Sequence, residues 1–119
     1  MPAATPNLFS GAEIVALLEA AAFTHVVWVP DSSFGPWEAA LEASGRLALL
    51  RVAREGEAWP LAAGLHIGGR RPLIVMQCTG LFDSGDALRN ALFDMRLPLL
   101  AIIGVRNLLN PESGDTARR

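Results

Sequence analysis

Four short apolar runs alternate with stretches of helical spacing, and no feature limits the possible folds of this chain more than that alternation. The runs are His25 to Val29, Leu47 to Val52, Leu73 to Met76 and Pro98 to Val105. They are rich in Val, Ile and Leu and lack polar alternation, as strands buried on both faces of a parallel sheet do. Before the first run, Ser10 and Glu13 form an S-x-x-E capping box, and Ile14, Leu17, Leu18 and Ala21 then recur on one helical stripe. Asp31-Ser32-Ser33 reads as a turn and helix cap ahead of Trp37, Ala40 and Leu41, a short helix that Gly45 ends. Arg54 to Ile67 is helical again, with Ala58, Leu61, Ala62 and Leu65 on one side. Gly68-Gly69 stop it, and Arg70-Arg71 suit the negative end of its dipole. A Gly-containing loop over Cys78 to Gly85 then leads to a helix bearing Leu88, Ala91, Leu92 and Met95. Strands and helices joined by short links imply βαβ units, right-handed crossovers and an α/β fold, a parallel sheet between two helical layers. The expected domain is residues 1–105, with 106–119 as a polar tail.

The composition removes several classes of function. Hydrophobic residues make up 51% and charged residues 18% of 119, which excludes a disordered chain and allows one domain with a real core. The mean hydropathy of +0.32 is high for so small a domain and suggests apolar surface buried against another chain. The longest apolar stretch, Leu97 to Val105, falls far short of the roughly 20 residues that span a bilayer. A net charge of −2 with no basic stripe gives no footprint for nucleic acid. A single Cys78 rules out an internal disulfide and a cysteine-built zinc site. Met1 to Asn7 has neither the basic start nor the apolar run of a signal peptide, so the expected location is the cytoplasm.

Ligands of parallel sheets gather beyond the carboxyl ends of the strands, which selects the loops Pro30 to Phe34, Ala53 to Glu57 and Gln77 to Ser84. No glycine-rich phosphate motif follows any strand, and His25 and His66 stand alone. The informative segment is Arg54-Glu55-Gly56-Glu57-Ala58, a carboxylate at a strand-to-helix junction followed by small residues. Acidic residues there can simply complement a helix N-terminus.

Glu55 in this E-x-E-A…A-A-G helix start, Gly68-Gly69-Arg70-Arg71-Pro72, and Val75-Met76-Gln77-Cys78-Thr79-Gly80-Leu81 together resemble the pyrimidine-binding domain of thiamine diphosphate-dependent decarboxylases. Val29-Pro30-Asp31-Ser32 matches that family's active-site loop after its first strand. The motifs run in the family's order over nearly the whole chain, nearest to the sulfopyruvate and phosphonopyruvate decarboxylases. The resemblance implies the thiamine diphosphate-binding fold. It also implies that Glu55 hydrogen-bonds N1′ of the cofactor's aminopyrimidine and so favours the imino form of its 4′-amino group, the base that takes the C2 proton. Asp31 and Ser32 would contact substrate or relay protons. Gln77, Cys78, Thr79 and Gly80 would border the pyrimidine, the substrate being a small 2-oxo acid. From the residues alone, Asp31-Ser32 can equally cap a helix, Gln77 can close its strand, and Cys78 can be an inert buried thiol.

In the family the diphosphate and its Mg2+ are held by a second domain carrying a G-D-G and a downstream asparagine, a mark that neither Gly85-Asp86-Ala87 nor Gly114-Asp115-Thr116 completes. The resemblance therefore implies a homo- or hetero-oligomer in which a partner chain supplies that wall and the metal. Four strands stand where the family usually has six, as in a sheet truncated at its C-terminus. Trp28 replaces a frequent glycine, Pro60 lies within the helix, and Phe82-Asp83 replaces a Gly-Asn. These departures support an alternative, a non-catalytic relative acting as an interaction or regulatory module.

Overall fold

The computed structural model describes residues 9–31 and 34–105. Four parallel strands, β1 (His25–Trp28), β2 (Ala48–Arg51), β3 (Pro72–Gln77) and β4 (Leu100–Gly104), form one sheet in the order β2-β1-β3-β4. His25 lies opposite both Ala48 and Pro72, and Leu73 lies opposite Leu100, so the strands begin nearly level. Helices α1 (Gly11–Ala20) and α2 (Gly35–Ala43) cover one face. Ile14, Leu18, Trp37 and Leu41 pack there against Val26, Trp28, Leu73 and Val75. Helix α3 (Glu55–Ile67) and the helical stretch before β4 cover the other. There Ala58, Trp59, Ala62 and Ala91 meet Val27, Ile74 and Met76. The chain steps one way from β1 to β2 and the other way from β2 to β3 and β4. Crossovers of one hand must then change face, and they do. The α/β class with helices on both faces is thus observed, and β1 is buried on both faces as its apolar run requires.

Each helix begins and ends for a local reason. At α1 the capping box is complete. Glu13 N–H donates to Ser10 Oγ at 3.1 Å and Ser10 N–H donates to Glu13 Oε2 at 2.9 Å. Leu17, placed on the buried stripe by its spacing, is 63% exposed, because α1 is covered only along Ile14 and Leu18. A Cβ on Gly11 would stand 2.8 Å from Ala40 Cβ, so α1 and α2 touch where Gly11 has no side chain. The first helical turn of α2 carries Pro36, its cap position is Phe34, and no side chain caps it. Of the expected Asp31-Ser32-Ser33 cap, Ser32 and Ser33 lie outside the described residues. Helix α3 runs unbroken through Pro60 and ends at Gly68, followed by Gly69 at φ +86°. Trp28 is fully buried with its ring edge toward Phe34, and its Nε1 has no hydrogen-bond partner among the described residues.

One expectation changes. Cys78 to Gly85 is not a loop but two short helices, α4 (Cys78–Asp83) and α5 (Gly85–Leu88), and Arg89–Asp94 continues α5 as a π-helical turn. Met95 N–H closes that turn on the Asn90 carbonyl, and Arg89 spans it by pairing with Asp86 and Asp94. A glycine at position 80 suggests a helix breaker. Its lack of a side chain instead lets α4 start beneath a neighbouring residue, as described below.

Candidate functional site at the carboxyl end of the sheet

The order in which strands are added reverses between β1 and β3, the position where open parallel sheets hold ligands. Val29 N–H donates to the Val75 carbonyl at 3.2 Å, which continues the β1–β3 ladder and brings Pro30-Asp31 beside the Gln77-Cys78 corner. Asp31 and Gln77 are half-buried, Cys78 and Gly80 are buried, and Thr79 is exposed. Ser32 lies outside the described residues. Of the residues singled out in the sequence, Asp31, Glu55 and Gln77 to Gly80 therefore all stand at the same end of the sheet.

The start of α3 separates two carboxylates that residue type alone does not tell apart. Glu57 has the structural role. Its Oε2 accepts the Ala53 N–H at 3.2 Å, just ahead of the helix. Glu55, in the first turn, is half-buried, and its carboxylate makes no hydrogen bond or ion pair among the described residues. Its side chain lies across the backbone of Gly80. A Cβ on Gly80 would overlap Glu55 Cγ, Cδ and Oε1, well inside van der Waals contact. Gly80 is therefore a seat for Glu55, made by the absence of a side chain. Both carboxylates lie in the first turn of α3 and complement its N-terminus, but only Glu57 also accepts a backbone N–H, and Glu55 makes no hydrogen bond or ion pair among the described residues.

Two further links hold α3 to α4. Trp59 Nε1 donates to Ser84 Oγ at 2.9 Å, and Ser84 Oγ donates to the Leu81 carbonyl at 3.0 Å. Both side chains are buried, so this short relay fixes the distance between the helix carrying Glu55 and the helix carrying Gly80. At the rim, Arg54 and Asp83 approach to 3.9 Å, an exposed and weak pair. Sequence reading missed Trp59 and Ser84, since a Trp and a Ser 25 residues apart carry no local signal. Phe82, one of the departures noted in the sequence, is 63% exposed.

Among the described residues no group of three or more His, Cys, Asp or Glu side chains is placed to hold a metal ion, and no helix is long and apolar enough to cross a membrane. No protein-family model matches the chain, and a search of curated proteins gives no match.

Proposed function

We propose that this chain is the pyrimidine-binding part of a thiamine diphosphate-dependent decarboxylase acting on a small 2-oxo acid of the sulfopyruvate or phosphonopyruvate kind. The observation that carries the reading is the Glu55 carboxylate, half-buried, without a partner among the described residues and seated on Gly80, while Glu57 accepts the Ala53 N–H ahead of the helix. A carboxylate held in that way suits an aminopyrimidine, whose ring nitrogen needs a proton shared with an acid. When bound, the cofactor supplies the electron sink for loss of carbon dioxide. The chain's own part is to hold a proton at N1′ through Glu55, to keep that carboxylate oriented through Gly80, and to border the ring with Gln77, Cys78 and Thr79. Asp31, at the end of β1, is the group of this chain nearest in sequence to the family's substrate loop, with Ser32 beside it. The diphosphate and Mg2+ are assigned to a partner chain, since the G-D-G with a downstream asparagine that holds them in the family is not completed by Gly85-Asp86-Ala87 or Gly114-Asp115-Thr116.

The test is calorimetric titration of thiamine diphosphate with Mg2+ into the chain, alone and mixed with a candidate diphosphate-binding chain. Binding confined to the mixture and lost in Glu55→Ala supports the reading. In an assembled complex, Glu55→Gln should lower decarboxylation by roughly 10²–10⁴-fold, the usual worth of a positioned acid–base group. Decarboxylation unchanged by Glu55→Ala overturns it. The exposed Phe82, Phe93 and Met95 favour a second reading, a non-catalytic interaction module. A stable protein complex that binds no cofactor would select it.

A further inference from the structure

At the opposite end of the sheet from Glu55, a cleft of about 400 Å³ opens between the segments that lead into β1, β3 and β4. Its polar lining is Arg70, Arg71 and His66, and no carboxylate among the described residues lines it. Arg70 and Arg71 form no ion pair among the described residues, whereas Arg51, Arg54 and Arg89 each have an acidic partner. Two adjacent guanidinium groups left uncompensated on a chain of net charge −2 form a local positive field. Arg71 is also held in place. Its N–H donates to Thr24 Oγ1 at 2.9 Å, and its carbonyl accepts the Thr24 N–H at 2.9 Å. Its guanidinium stacks over the Phe23 ring at 4.7 Å from the centroid. The negative end of α3 points toward this region, but three of its last four carbonyls are occupied. The N–H groups of Gly68, Arg70 and Gly69 donate to Gly64, Leu65 and His66. The remaining walls, Pro98 and Leu100 beside Phe23, are apolar.

We propose that this cleft binds a small organic anion, its phosphate or carboxylate head on Arg70, Arg71 and His66 and its apolar body against Phe23, Pro98 and Leu100. The volume lies within the roughly 300–1,000 Å³ of small-molecule sites. A planar guanidinium fixed by its backbone and by stacking loses little freedom on binding and can engage an oxyanion with two parallel N–H donors. The site is independent of the cofactor reading and stands or falls without it.

The experiment is titration of phenyl phosphate, inorganic phosphate and neutral phenol into the full chain at low ionic strength, read by backbone amide shifts and calorimetry. Phenyl phosphate should bind more tightly than inorganic phosphate and shift amides around residues 23–24 and 66–72, while phenol does not bind. Arg71→Gln should weaken phenyl phosphate about tenfold or more, as expected for loss of a charge-assisted contact, and Phe23→Leu should weaken it less. Arg89→Gln, which removes one exposed positive charge elsewhere, should leave the affinity unchanged. Absence of binding at millimolar phenyl phosphate overturns the proposal, as does equal weakening by Arg71→Gln and Arg89→Gln, which would mark a general charge effect.

Discussion

A single missing side chain decides where the Glu55 carboxylate rests. Gly80→Ala adds one methyl group into space that Glu55 Cγ and Cδ occupy, so the carboxylate must leave its seat. The helical backbone at Gly80 accommodates alanine, and stability should change little. Binding of thiamine diphosphate by the assembled complex should fall as far as in Glu55→Ala, with the circular dichroism spectrum unchanged. Retained binding in Gly80→Ala would separate the carboxylate from the cofactor. Ser84 is a second residue whose role is set by burial. Ser84→Ala strands Trp59 Nε1 in the core, and the expected loss is about 1–3 kcal/mol in urea unfolding. The resemblance made Glu55 the candidate, but residue type alone does not distinguish it from Glu57. The distinction depends on which carboxylate finds a backbone N–H, and that is settled by a bend in the chain at Ala53 rather than by residue type.

At the scale of elements, α3 carries a visible flaw. Pro60 has no N–H to give the Gly56 carbonyl, and its ring crowds that group. Pro60 is exposed and Gly56 half-buried. Pro60→Ala should therefore stabilise the chain by about 1–2 kcal/mol, part of the usual gain being offset by a more flexible unfolded state. A melting temperature equal to or below that of the parent would show that the ring makes a contact worth as much. The strands and α1 to α3 were legible because each has a regular period and a chemical start or stop. The segment after β3 was not. A six-residue helix beginning at a buried cysteine has no side-chain cap, and a π-helical turn has no periodicity of its own; both follow from packing against α3.

For the whole molecule, the sheet is unequal across its width. Strands β1 and β3 are buried, whereas β4 lies at an edge with Leu100 53% exposed and its outer backbone groups facing away from β3. Native-state hydrogen exchange should rank the central strands slowest, with alternate amides of β4 exchanging orders of magnitude faster. Uniform protection across β4 would mean that something covers that edge. An apolar edge strand without a charge or a proline between Leu100 and Gly104 is a template for further pairing. The high hydropathy of the sequence hinted at such a surface, but only the strand order places it at β4.

The contact of Glu55 with Gly80 has a consequence for how this sequence can change. The three atoms nearest to where a Gly80 Cβ would stand all belong to Glu55. Once Glu55 is truncated to alanine those atoms are gone, and Gly80→Ala should cost cofactor binding nothing further; the two substitutions would be strongly non-additive, each masking the other. The two sites, far apart along the chain, thus behave as one inherited unit. A lineage that gave up the carboxylate would be released at position 80 as well, and would lose the way back as soon as a side chain grew there.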